Sequence, residues 1–275
     1  TSKMWPFLYS KILGRCCMGK TFALFVLSLV ILTVVVGADT LDKIISSGYL
    51  TVGMDVHYMP FEGVDSNGNY VGFDVDMAQL MANELGVKLR IVPTQWSGIL
   101  PSLVSGKFDM IISAMTITPK RALMVDFSIP YFTIGQKILY NKSVYTNPTV
   151  KSLQDQKNLT VAVEIGTTGE DAAKKIFPNA KILEFNTMDE AALQVAMKKA
   201  DIAVADSTYV GYMVEKYNQL ATVDETLTNE NYGIAIKKNE QELLNWINTF
   251  ITYIKASGQW QELYDKWFVN YKPNS

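Results

Sequence analysis

The run Met115-Thr116-Ile117-Thr118-Pro119-Lys120-Arg121 gathers groups that would hold an anion. Thr118 has the side chain of an N-cap and Pro119 the fixed φ of a first helical residue, so a helix is expected to begin here with Arg121 in its opening turn. The free amides of that turn, the Thr116 hydroxyl and the Arg121 guanidinium then converge on one spot. A carboxylate is the ligand such a spot favours, because a helix N-terminus and a forked guanidinium both stabilise it. The same residues also suit a capped helix with a solvated arginine.

Two further segments could face the same cleft. Gly166-Thr167-Thr168-Gly169 lies between an expected strand and helix, with Thr168 three residues before Asp171 as in a capping box. Its amides would point into a cleft, or it is an ordinary strand-to-helix turn. Asp206 follows the strand candidate Asp201 to Ala205 and stands where an N-cap would. A free amino acid is a zwitterion, so a site for one needs an anion cradle and a separate carboxylate. Arg121 and Thr116 supply the first half.

The elements that must position these groups alternate. Leu41 to Ser47 is expected to be helical and Leu50 to Met54 a strand, and Asp65-Ser66-Asn67-Gly68 is a turn between two strand candidates. Apolar residues at helical spacing run from Phe73 to Leu85 and stop at Gly86. Strand Lys88 to Val92, helix Gly98 to Val104 ending at Gly106, and strand Phe108 to Ser113 follow. After Asn141 the pattern repeats: strand Thr160 to Val163, helix Glu170 to Ile176, strand Lys181 to Phe185, helix Met188 to Lys199, strand Ile202 to Ala205 and helix Thr208 to Tyr217. Tyr232 to Ile236 is a further strand candidate, before helices around Glu240 to Ser257 and Trp260 to Phe268. Two such α/β units, each a mostly parallel sheet flanked by helices, imply two lobes with a cleft between them.

Composition narrows the setting. The 275 residues are 48% hydrophobic and 19% charged, which suits one or two domains with proper cores. Residues 1–38 carry Lys3, Lys11, Arg15 and Lys20, no acid, and the apolar stretch Thr21 to Val36. From Met18 onward this reads as a signal peptide cleaved before Asp39, with an uncleaved membrane anchor as the alternative. Without residues 1–38, 21 basic residues face 27 acidic ones, a net charge of −6, which disfavours nucleic acid as a partner. Cys16 and Cys17 both precede the apolar stretch, so neither a disulfide, a thiol nucleophile nor a lipid anchor is expected afterwards. The expected product is periplasmic, or secreted or membrane-tethered if the presequence is retained.

Met115 to Arg121, followed by Val125-Asp126-Phe127-Ser128-Ile129-Pro130-Tyr131, resembles the signature of the periplasmic polar amino-acid-binding proteins of ABC importers. Gly72-Phe73-Asp74-Val75-Asp76, Pro101-Ser102-Leu103, Gly166-Thr167-Thr168-Gly169-Glu170, Tyr232-Gly233-Ile234-Ala235 and Tyr264-Asp265-Lys266-Trp267-Phe268 extend the resemblance over residues 39–272. It implies the two-lobed periplasmic-binding-protein fold, with hinge crossings matching Gln136 to Asn141 and Tyr232 to Ile236. Residues 39–139 plus 233–275 would form one lobe and 140–232 the other. It also implies a monomer without cofactor that closes on an amino acid and docks transiently on a membrane ABC permease.

The same resemblance implies roles residue by residue. Arg121, Thr116 and Thr168 hold the ligand's carboxylate, beside the loop at Gly166; Asp206 and the Ala114 carbonyl hold its ammonium. Many relatives have Gly or Ser where this chain has Ala114, so ligand identity is less constrained there. Asp55, Tyr58, Phe61 and Trp96 line the side-chain end, and Glu164 stands where relatives reach the ligand's side chain. The flat faces of Tyr58 and Trp96 would sandwich a cation. A second acid beside Asp55 favours arginine, lysine or ornithine, because two carboxylates facing a neutral ligand are poorly compensated; glutamine stays open if Glu164 points outward. Asp74, Asp76 and Asp126 are expected to be structural.

Exported cyclohexadienyl dehydratases share the fold and the phrases at Gly72 to Gln79 and Phe127 to Tyr131, and Glu164 or Glu170 would be the acid such chemistry needs. Thr116 and Asp206 argue instead for an amino-acid site. His57, the only histidine, is expected at a pocket rim or surface. A sensor input domain on the same fold is a third possibility, for which an uncleaved anchor would be the discriminating observation.

Overall fold

A computed structural model describes residues 39–273; the signal-peptide reading of residues 1–38 lies outside the described residues. Side chains alternate along each strand and set which face each apolar residue can cover. The strands are β1 (Tyr49–Met54), β2 (Gly63–Val64), β3 (Tyr70–Val71), β4 (Lys88–Pro93), β5 (Met110–Ile111), β6 (Asp126–Phe127), β7 (Phe132–Ile134), β8 (Gln136–Asn141), β9 (Thr160–Glu164), β10 (Lys181–Phe185), β11 (Ile202–Asp206), β12 (Leu220–Thr222), β13 (Glu230–Tyr232) and β14 (Ala235–Ile236). Among the described residues they form two five-stranded sheets, ordered β4-β1-β5-β14-β6 and β10-β9-β11-β8-β12, and the ribbons β2-β3 and β7-β13.

In each sheet one strand runs against the other four: β14 pairs antiparallel with β5 and β6, and β8 with β11 and β12. These two strands continue directly from the β7-β13 ribbon, so the chain passes between the sheets twice, side by side. Close packing fixes both passages. A Cβ on Gly135 would lie 2.2 Å from the Thr228 carbonyl oxygen, and one on Gly233 2.7 Å from the Ile117 side chain. The expected single strand Tyr232 to Ile236 is therefore two strands in different sheets, broken at Gly233. Residues 136–139, expected in the first lobe, lie with β8 in the second sheet.

The two faces of β11 show how each sheet is covered. Ala203 and Ala205 pack with Met188, Ala191, Ala192 and Val195 on one side, while Ile202 and Val204 pack with Ala172, Ala173 and Phe177 on the other. In the first sheet Leu50, Val52 and Met54 meet Met77 and Met81 of the helix Phe73–Glu84, and Leu243, Ile247 and Ile251 of the C-terminal helix Gln241–Ser257. Asp76 accepts from Lys266 Nζ and Trp267 Nε1, both at 2.6 Å, tying the last turns of the chain to this sheet.

Some elements differ from expectation for identifiable reasons. The helix expected from Gly98 begins at Trp96, whose N–H donates to Asp55 Oδ2 at 2.9 Å in place of a side-chain N-cap. The helix at Pro119 is a single turn, Pro119–Ala122, with Thr118 Oγ1 accepting from the Arg121 N–H as its cap. The capping residue before the helix Thr168–Ile176 is Thr167 rather than Thr168, because Thr167 Oγ1 accepts from the Glu170 N–H.

An aromatic cluster closes the first unit near the ribbon. Phe61, fully buried, lies 5.0 Å from Phe132, 5.2 Å from Tyr232 and 5.1 Å from Phe268 between ring centroids. Truncating a ring so enclosed leaves a cavity that its neighbours cannot fill. Phe61→Ala is expected to lower unfolding stability by about 3–5 kcal/mol, read as the shift in urea midpoint.

Candidate functional site

The parallel strands of both sheets end at a common space of about 500 Å³, open solvent at its mouth included. Asp55 follows β1, Ser113 and Ala114 follow β5, Glu164 ends β9 and Asp206 ends β11, so chemistry gathers at carboxyl ends of strands, as in other open α/β sheets. Of the residues singled out from the sequence, Asp55, Tyr58, Trp96 and Ala114 line this space, as do Thr116, Arg121, Glu164, Thr168 and Asp206. His57 also lines it, with its side chain 58% exposed at the rim.

Arg121 is 8% exposed. Its Nη1 donates to the Thr116 carbonyl at 2.8 Å and its Nη2 to the Gly166 carbonyl at 3.2 Å, and the guanidinium sits 5.0 Å above the Trp96 ring. Burial lowers its pKa. No carboxylate forms an ion pair with it among the described residues. It is a buried cation held by neutral acceptors, which leaves charge to be met by an anion. Thr116 Oγ1 stands 3.4 Å from Thr168 Oγ1, and also donates to Glu230 Oε2 at 2.9 Å.

Asp206 occupies an N-cap position but makes no capping bond. Its carboxylate turns into the space instead, where Tyr58 Oη donates to it at 2.8 Å and Tyr232 Oη and Gln136 Nε2 donate as well. Burial outweighs these donors and raises its pKa to about 6. The donors come from both sheets' segments, since Tyr58 follows β1 while Gln136 opens β8.

Three more acids share the space. Asp55 Oδ2 accepts from Trp96 N–H and Oδ1 lies 3.2 Å from His57 Nδ1; burial nevertheless raises its pKa. Glu164 is 4% exposed, and burial first, then the charges of Asp55, Asp206 and Asp189, push it well above the usual carboxylate range. Glu62 is 1% exposed and is raised well above its usual range, chiefly by burial. Four carboxyls thus face a single guanidinium.

Some expected placements are corrected by packing. Phe61 does not line the space, because its ring fills the aromatic cluster behind Tyr232. Gly166 enters through its carbonyl, which accepts from Arg121 and from Trp96 Nε1 at 3.1 Å; its N–H is turned away onto Glu170 Oε2 at 2.6 Å. One face of each ring expected to sandwich a cation is already covered. Tyr58 stacks on Tyr209 at 4.8 Å and Trp96 receives Arg121. Asp74 is structural as expected, accepting from the Ala114 N–H and Tyr131 Oη. Sequence reasoning missed Gln136, Glu62, Ser113 and Tyr232; the signal for Gln136 was a polar residue opening a strand whose middle, Ile138 to Tyr140, is apolar.

Residues 50–270 match the bacterial extracellular solute-binding proteins, family 3. The chain belongs to this family. The L-cystine-binding protein TcyJ of Escherichia coli K12 is 31% identical over 229 residues, covering 83% of this chain and 85% of that protein. An ancestral amino acid-binding protein, described as a precursor of cyclohexadienyl dehydratase, has a crystal structure that superposes with a TM-score of 0.79 at 45% identity, covering 83% of this chain and 99% of its own. A binding component of an ABC transporter from Wolinella succinogenes, complexed with lysine, superposes with a TM-score of 0.76 at 43% identity, covering 81% and 97%. Two sheets flanked by helices around one cleft are the two-lobed periplasmic-binding fold of this family.

The Asp206 carboxyl makes unliganded stability depend on pH. Its pKa rises from 3.8 to about 6 on folding, so between those values the native state holds more protons and stability falls as pH rises. The full loss, complete above pH 6, is roughly 3 kcal/mol. The unliganded protein is expected to gain stability from pH 7 to pH 5, and Asp206→Asn to gain less, as read from urea midpoints across that range.

Proposed function

We propose that this protein is the substrate-binding component of an ABC importer, taking a basic L-amino acid of the arginine, lysine or ornithine kind from the periplasm and delivering it to a membrane permease. The observation that carries this reading is the charge balance of the cleft: one buried guanidinium against Asp55, Glu164 and Asp206. A zwitterion satisfies Arg121 with its carboxylate and Asp206 with its ammonium. Glu164 and Asp55 then remain for a cationic side chain, whose charge offsets their desolvation. The lysine complex of the Wolinella succinogenes relative supports this choice, as does a second structure of the ancestral protein, described as a cationic amino acid solute-binding protein.

In this reading Thr116 and Thr168, one from each side of the cleft, complete the carboxylate site with Arg121. Ala114, with its backbone in the left-handed region at φ 44°, presents its carbonyl to the ammonium. The lobes are the two sheets with their helices, and the β7-β13 ribbon is the hinge; binding couples to closure because each lobe holds part of the same ligand. The protein is a binding protein without cofactor, working as a monomer, rather than an enzyme. A second reading rests on Glu164 alone. Its burial favours the protonated acid, which is the form a dehydratase needs. Turnover of prephenate or arogenate would establish it, and none is expected.

Two experiments test the main reading. Thermal unfolding of ligand-stripped protein against amino acids is expected to show stabilisation by L-arginine, L-lysine or L-ornithine above L-glutamine and L-cystine, and Arg121→Ala to weaken binding at least a hundredfold, about 3 kcal/mol, by stranding the ligand's carboxylate. Retained affinity in Arg121→Ala would overturn the clamp. In calorimetric titration, Glu164→Gln and Asp55→Asn are each expected to cost a cationic ligand about tenfold or more, with little effect on L-glutamine. Equal losses for both ligands would remove the charge argument.

A further inference from the structure

At the pocket wall two carboxyls meet. Glu62 precedes β2 and is 1% exposed; Asp74 stands in the first turn of the helix Phe73–Glu84 and is fully buried. Each already has one oxygen engaged with a residue that lines the cleft, Glu62 with a side-chain hydroxyl and Asp74 with a backbone N–H. Ser113 Oγ donates to Glu62 Oε1 at 2.7 Å and accepts from the Asp55 N–H at 2.9 Å. The Ala114 N–H donates to Asp74 Oδ2 at 2.7 Å, an oxygen that also accepts from Tyr131 Oη at 2.8 Å. The two remaining oxygens, Glu62 Oε2 and Asp74 Oδ1, are buried without a donor. No cation pairs with either acid among the described residues.

Two ionised carboxylates are acceptors only, so they can neither satisfy one another nor share a dry site without repulsion. One proton removes both difficulties, turning one acid into a donor and cancelling a charge. We infer that Glu62 and Asp74 share a single proton, Glu62 donating to Asp74, and that the pair is the positioning element that holds the Asp55 and Ala114 backbone at the ligand site. Ala114 has particular need of such a hold, since a left-handed φ is strained in a residue with a Cβ.

The surroundings agree with the proton's place. Burial, the Asp74 charge and the Asp55 charge all hold the proton on Glu62, and the closeness of the two side chains raises Glu62 while lowering Asp74. Asp74, raised by burial to about 7, is kept the more acidic by the Ala114 and Tyr131 donors. The titratable groups facing the pair are Asp55, which follows β1, and Tyr131, which precedes β7. Neither supplies positive charge.

The pair's effect on ligand affinity rests on the amino-acid reading above; its proton does not. The infrared difference between wild type and Glu62→Gln at pH 7, without ligand, is expected to show a protonated-carboxyl C=O band present only in wild type. L-arginine binding by Glu62→Gln, which keeps one donor and one acceptor, is expected to stay within about threefold of wild type and to depend less on pH toward the alkaline side, whereas Glu62→Leu loses at least about tenfold. Absence of the band, or equal losses in the Gln and Leu variants, would overturn the inference. If Glu62→Gln does not fold, titration of Glu164→Gln, which lacks the other strongly raised carboxyl of the cleft, decides: a carboxyl band that persists at pH 7 and vanishes at higher pH together with stability supports the shared proton, and its absence at pH 7 refutes it. If no amino acid stabilises wild type, the transport reading fails while the infrared result still decides the proton.

Discussion

The structure depends on burying carboxyls between two sheets with too little positive charge to match them. Water would solvate each acid at no cost, so placing Asp55, Glu62, Glu164 and Asp206 around one narrow space demands donors for every one. Asp206 finds them in Tyr58, Tyr232 and Gln136, residues that belong to the loop after β1, the crossing ribbon and the first residue of β8. One carboxylate thereby touches both halves of the molecule and the passage between them. Its position at the end of β11 is what makes the cleft a single site rather than two facing surfaces.

The topology supplies those positions cheaply. Four strands of each sheet run the same way, and the carboxyl ends of β1, β5, β9 and β11 open at the cleft, where loops are free of sheet pairing. The single reversed strand in each sheet is the one that has just crossed from the other side. Gly135 and Gly233 mark the crossings, because the neighbouring backbone or side chain occupies the place of a Cβ at both. The C-terminal helices then return over the first sheet and anchor through Lys266 and Trp267 on Asp76.

Acids of similar intrinsic acidity acquire different characters from their neighbours alone. Asp55 is held by a helix N-terminus and a partly exposed imidazole, which favour its charge against burial. Glu164 has little such support, and burial with the neighbouring acids pushes its pKa well up. Glu62 and Asp74 face each other at the wall of the cleft, engaged with the Ser113 hydroxyl and the Ala114 N–H. That gradient is what separates an ion-pairing role from a positioning one.

Local periodicity made much of this legible. The Thr118 cap, the Pro119 start, the strands from Lys181 to Phe185 and Ile202 onward and the apolar face of the helix from Phe73 follow from side-chain spacing and capping chemistry, which act within a few residues. The sequence alone determined the α/β alternation, and its motif blocks brought Arg121, Thr116, Thr168 and Asp206 into one expected site. Only tertiary structure decided that Phe61 turns into the aromatic cluster, that Trp96 receives Arg121 and caps onto Asp55, that Gln136 reaches Asp206, and that Glu62 meets Asp74. Those contacts join residues far apart in the chain, and the direction of each side chain is set by the volume its neighbours leave and by which buried polar atom still lacks a partner. Neither quantity has a local signature.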